Sequence, residues 1–252
     1  MLLASTVTVC SPGNKANSQS QSTSEAAAAS QLPLSGTFFG MSTDGRGWLF
    51  FLDSSGHWGS LHVPPRPLKL CHFTTDSSQL VMQWAPGYKS VQFALRARWS
   101  GGKLTGELEE TGMVGPRRQT NTMAVSARRV SGPPGPEDIG RSGYYSNVGA
   151  PGGELGGTEF VFIDVPDNPV GLLTFYQGSA GKPLAAQRLV VRGDTLRFQI
   201  QQPDREDAFE VILHDREMVM SSGTLGFAPE RLTKRATIAK LAHGGDDGRC
   251  PD

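Results

Sequence analysis

A chain of 252 residues exceeds the common single-domain size, so one large domain or two small ones fit. With 37% hydrophobic residues, 31 glycines and 17 prolines it is turn-rich, which suits short strands joined by tight turns better than helices. Lys+Arg and Asp+Glu balance at 24 each, a formal net charge of zero, which excludes a sequence-wide basic field for nucleic acid or anionic lipid.

Residues 1–31 open with the apolar "MLLASTVTVC" and continue with "SPGNKANSQSQSTSEAAAAS", rich in Ser, Gln, Ala and Asn. The second piece has too little apolar surface to offset its ordering entropy, so 1–31 reads as a signal-like segment and a disordered tether. An apolar run, Cys10 and then a polar tether resembles the precursor of a bacterial lipoprotein. Val7 and Thr8 fit that pattern, and Val9 takes the place of its small residue. The resemblance makes Cys10 a lipidation candidate. It implies an exported protein, periplasmic, outer-membrane-anchored or secreted, with a cytoplasmic protein carrying a plain tail as the alternative. No later stretch approaches the ~18 apolar residues of a membrane span.

From residue 32 onward the chain says the same thing twice. "SGTFFG" (35–40) matches "SGYYSN" (142–147), and "WLFFLD" (48–53) matches "EFVFID" (159–164). "GSLHV" (59–63) then matches "GLLTF" (171–175), "QLVMQW" (79–84) matches "TLRFQI" (195–200), and "FALRA" (93–97) matches "FEVIL" (209–213). The spacing grows from 107 (Ser35 to Ser142) to 116 (Phe93 to Phe209), and the growth falls in loops, where insertions cost little. Five matches in one order imply two copies of one unit.

Within each copy the pattern has period two. Val91, Phe93, Leu95 and Ala97 alternate with Gln92, Ala94, Arg96 and Arg98, as Leu196, Phe198 and Ile200 do with Arg197, Gln199 and Gln201. Such alternation predicts strands with one wet and one buried face. Turn clusters such as "TTDSS", "SGGK" and "VRGD" separate them. In the first copy strands are expected near 37–41, 48–53, 58–63, 68–74, 79–84, 90–98, 103–109 and 121–129. Only 227–235, "FAPERLTKR", could form a helical turn. The joint "ARRVSGPPGPEDIG" (127–140) holds three prolines and three glycines and marks a boundary.

The expected fold is therefore all-β: two tandem repeats of an antiparallel up-and-down meander, each a small closed or nearly closed β-barrel. One larger barrel built from both repeats is the alternative. The first repeat spans 32–130, a Pro/Gly linker 131–141, the second repeat 142–242 and a polar tail 243–252. This layout resembles the lipocalin and avidin-like group of meander barrels, with Gly36-Thr37-Phe38 and Gly143-Tyr144-Tyr145 where lipocalins carry Gly-x-Trp.

No residue set names a reaction. The five histidines (His57, His62, His72, His214 and His243) match no metal-ligand spacing, so no metal and no cofactor are expected. Asp53 and Asp164 end matched strands, where an Asp commonly caps its own turn. "SGTLG" (222–226) lacks the order of a serine-hydrolase elbow, and the Gly-rich loops lack a phosphate-binding signature. Cys71 lies in a strand-like run and reads as a small buried hydrophobe.

Aromatic residues are the remaining class. Phe38, Trp48, Phe50, Trp84 and Phe93 in the first copy, with Tyr144, Phe160, Phe162, Phe198 and Phe209 in the second, are either core fillers or the lining of a ligand cavity. The functional expectation is a non-enzymatic, envelope-associated barrel protein that binds a small apolar ligand or a protein partner, without nucleic acid and touching a membrane only through a lipid anchor. A structural subunit of a larger assembly and a barrel-type enzyme with dispersed catalytic residues are the alternatives.

Overall fold

The computed structural model describes residues 35–52, 60–63, 66–76, 79–84, 91–114, 116–132, 140–224, 226 and 228–243. Eight strands form the first sheet: β1 (Gly36–Ser42), β2 (Gly47–Leu52), β3 (Ser60–Val63), β4 (Arg66–Asp76), β5 (Gln79–Trp84), β6 (Gln92–Ser100), β7 (Lys103–Val114) and β8 (Arg117–Ser131). Each pairs antiparallel with the next, as short connections require, and β8 returns to β1 to close a barrel.

The second sheet holds β9 (Gly143–Ser146), β10 (Leu155–Ile163), β11 (Val170–Ala180), β12 (Leu184–Ala185), β13 (Gln187–Arg192), β14 (Thr195–Gln201), β15 (Glu206–Leu213), β16 (Glu217–Ser222) and β17 (Glu230–Ala236). Here β17 pairs with β9, and β12 and β13 are the two ends of the sheet. They are also successive in the chain. The first half of this bent strand pairs with β11 and the second with β14, which curls the sheet into a nearly closed barrel. In the first barrel β4 does the same work alone, its start paired with β3 and its remainder with β5.

The chain therefore makes two antiparallel meander sheets and not one larger barrel. All five repeated segments fall on corresponding strands, as a duplication requires. The pairing register corrects one detail. Phe38 faces Phe50, and its counterpart Tyr145 faces Phe160, so Phe50 corresponds to Phe160. Matching "WLFFLD" to "EFVFID" letter by letter is one residue out of step, and a one-residue slip exchanges the two faces of a strand. Asp53 lies outside the described residues. The helix also moves: the 227–235 stretch contains β17, and the one α-helix among the described residues, α1 (Ile238–His243), follows it.

Alternating residues fill both interiors. In β5 the buried positions are Leu80, Met82 and Trp84, and in β14 they are Leu196, Phe198 and Ile200. β2 breaks the alternation, being buried at all six positions. Trp48, Phe50 and Leu52 point into the first barrel, while Leu49 and Phe51 point out of it. The reason is a second core between the barrels. Leu49, Phe51 and Val130 pack there against Val161, Ile163, Val170 and Leu172 of the second sheet, with Ile238 and Leu241 of α1 closing the seam. Burying each such side chain contributes about 1.5–3 kcal/mol, so an apolar run with no wet face has a direct cause.

Backbone bonds tie the same seam. Gly47 N–H donates to the Pro183 carbonyl at 3.0 Å, and Ala185 N–H donates to the Gly45 carbonyl at 3.0 Å. A Cβ on Gly47 would overlap the Leu172 side chain and press on the Ala185 backbone, so only glycine allows this approach.

Candidate functional site

The aromatic candidates sort by strand parity. Phe38, Trp48, Phe50, Trp84 and Phe93 all enter the first barrel. Phe38 stacks on Phe50 at 5.2 Å, Phe50 meets Trp84 edge-on at 6.3 Å, and Trp48 lies 5.8 Å from Phe93. These are favourable ring geometries, worth about 0.5–1.5 kcal/mol each beyond area burial. The space left among Trp48, Phe50, Trp84, Leu95 and Leu108 is about 10 Å³. That is at the lower bound for one water molecule. The indole N–H groups of Trp48 and Trp84 are buried and meet no acceptor among the described residues.

Phe160, Phe162, Phe198 and Phe209 enter the second barrel as one ladder of rings. Phe160 is 6.2 Å from Phe162 and 5.1 Å from Phe198, and Phe198 is 5.2 Å from Phe209, all within 12° of parallel. Tyr144 does not join them. Its neighbour Tyr145 is the inward residue and is fully buried, while Tyr144 faces the seam. Cys10 lies outside the described residues.

Beside the seam stands a polar cluster that the sequence reading passed over. Glu159, only 2% exposed, accepts a hydrogen bond from the Tyr144 hydroxyl at 2.9 Å and another from the Tyr176 hydroxyl at 2.7 Å. Burial first, and the nearby Glu159 carboxylate second, push both phenols well above the ordinary tyrosine value. Both hydroxyls thus stay protonated and donate to Glu159. The cluster holds β9, β10 and β11 together under the seam. A signal for it was available: a carboxylate heading an otherwise apolar run must find donors, because an isolated buried charge is prohibitively costly.

Several other charged groups pair with one another. Asp164 accepts from Arg141, Nε at 3.1 Å and Nη2 at 2.9 Å, so its carboxylate braces a neighbouring strand end instead of capping its own turn. At the mouth of the first barrel Arg46 meets Asp44 at 2.7 Å and Glu110 at 3.3 Å. Burial works to raise the Asp44 carboxyl, but the Ser42 hydroxyl and the Arg46 guanidinium outweigh it and hold it below its usual range. An open hollow of about 530 Å³ lies along β13–β16, where Arg188, Arg197, Gln199 and Glu210 line it together with Phe198 and Phe209. Its Arg197 is paired with Glu210 at 2.7 Å and its Arg188 with Gln199 at 2.8 Å.

His72 and His214 are exposed on separate sheets, and among the described residues no three His, Cys, Asp or Glu side chains converge to hold a metal. Cys71 is half-buried and disulfide-bonded, which replaces its reading as a packed thiol. Among the described residues no helix is long and apolar enough to cross a membrane. Comparison with protein-family models, with curated proteins and with solved structures finds no match to this chain.

Proposed function

We propose that this is a non-enzymatic, exported β-barrel protein that works by binding a protein partner on its outer surface. The filled first barrel carries the reading. Ordinary small-molecule sites enclose about 300–1,000 Å³, whereas the aromatic residues here leave about 10 Å³. Glu159 and Tyr176 are the strongest candidates for chemistry among the described residues, yet both are at most 3% exposed, beyond the reach of a substrate.

The exported address is supported by the layout of residues 1–31 and by the disulfide of Cys71, since such bonds persist in oxidising compartments. The chain has three cysteines. A lipidated Cys10 cannot also be the partner of Cys71.

Melting the protein with laurate, oleate or indole tests the functional reading. Ligand at a hundredfold excess over Kd adds about 2.7 kcal/mol to the bound state, a rise of roughly 5–10 °C at this size. The expected result is no shift with any of the three, and a saturable rise would overturn the reading. Peptide mapping without reduction tests the address: the expected peptides are a Cys71–Cys250 pair and a diacylated Cys10, and an intact unmodified Met1 removes the lipoprotein assignment.

A further inference from the structure

The two strands that close the first barrel differ in length. β8 has 15 residues, but β1 pairs with it only from Val125, opposite Ser42, to Ser131, opposite Thr37. Residues 117–124 pair with β7 on one side and, among the described residues, with no strand on the other. The side chains of 117–122 are all exposed. Met113, directly across from Arg118 on β7, is 54% exposed. A bare edge of this length is a template for another strand, and adding one is an established mode of protein recognition.

We propose that this edge pairs antiparallel with the same edge of a second copy of the chain, about a two-fold axis at Asn121. The inference rests on the reading that the protein acts through its outer surface. Around Asn121 the sequence is Thr120-Asn121-Thr122, the same in both directions. The axis sets Thr120 against the partner's Thr122, Gln119 against the partner's Met123, and Arg118 against the partner's Ala124. No like charges face each other, which strand pairing requires.

Charge complementarity reaches one strand further, with Arg118 exchanging the Gln92 Oε1 it donates to within its own chain at 2.5 Å for a carboxylate across the edge. Ala124 pairs with Glu107 on β7, so Arg118 lies in one row with the partner's Ala124 and then the partner's Glu107. Strands are spaced by about 4.8 Å, which puts the two charged residues about 10 Å apart at the backbone, with only a methyl group between them. Glu107 is exposed and, among the described residues, forms no ion pair. The same contact recurs on the other side of the axis, and a two-fold interface closes on itself without building fibres.

The test is sedimentation equilibrium of the full chain from low to high micromolar concentration. The expected mass rises from the 27.0 kDa of one chain towards twice that value. Arg118→Glu and Glu107→Arg each replace two opposite-charge pairs by two like-charge pairs, so each alone should weaken the dimer by about tenfold. The double variant should restore it. Within one chain Glu107 and Arg118 are six residue pairs apart along the ribbon, about 20 Å, so rescue reports contact between copies. Thr120→Lys with Thr122→Lys places lysines face to face and should give a monomer with an unchanged melting temperature. A monomer at every concentration, a dimer indifferent to all four variants, or a double variant that is not rescued overturns the pairing. A monomer that also ignores laurate and indole ends the pairing alone, whereas a ligand-induced rise in melting temperature removes the surface-binding reading beneath it.

Discussion

Hollowing the first barrel tests the packing on which the functional reading depends. Trp84 is 3% exposed, lines the space of about 10 Å³ and meets Phe50 edge-on at 6.3 Å. Trp84→Ala removes the largest wall of that space, and Trp→Ala changes in close-packed cores cost about 3–5 kcal/mol. One effect works the other way. The indole N–H has no acceptor among the described residues, and deleting a stranded donor returns part of a desolvation cost of about 1–3 kcal/mol. The lower end of the range, about 3 kcal/mol, is therefore expected. At roughly 2–4 °C per kcal/mol for a unit of this size, melting should fall by roughly 6–12 °C. The new cavity is apolar and dry, so indole should restore part of the loss in the variant while leaving the parent unmoved. Scanning calorimetry with and without indole reads both effects. A loss below about 1 kcal/mol would show that the barrel was never filled there, and the case for an outer binding surface would go with it.

Other expectations concern the seam and its polar cluster. Glu159→Ala should cost about 1–3 kcal/mol for each phenol left without its acceptor, and Glu159→Gln clearly less, in urea titrations; equal losses would mean that the Tyr144 and Tyr176 hydrogen bonds contribute nothing. Because both phenols are held above the ordinary tyrosine value, the folded chain keeps protons that the unfolded chain releases above about pH 10. Their contribution to stability is thus complete below that pH and declines as pH rises beyond it. Absorbance titration should show these two tyrosines ionising only as the fold is lost. Gly47→Val forces a side chain into Leu172 and the Ala185 backbone and should destabilise by about 1–3 kcal/mol. If calorimetry finds it silent, the barrels do not meet as described.

The architecture was legible in the sequence wherever one strand face is wet. Alternation in β5, β6, β14 and β15 announced the strands and their inward residues, because water on one side and core on the other impose a period of two. The recurring segments are consistent with the two sheets, and short connections made them antiparallel meanders. The inward positions were legible to the same degree: nine of the ten named aromatic residues belong to the two barrel cores. Tyr144 was misplaced because adjacent tyrosines carry no alternation.

Tertiary structure decided what lies on the other face. β2 and β10 are apolar on both sides because a second core joins the barrels, and a run buried on both faces has no period from which to read register. Hence "WLFF" (48–51) was set against "EFVF" (159–162) one residue out of step. The Glu159 cluster is likewise invisible along the chain, since its donors come from two other strands. Whether a barrel is full or empty depends on side-chain volumes meeting in three dimensions, and the bare stretch of β8 depends on where β1 stops. Neither quantity is local, so neither could be written in the pattern of a single strand.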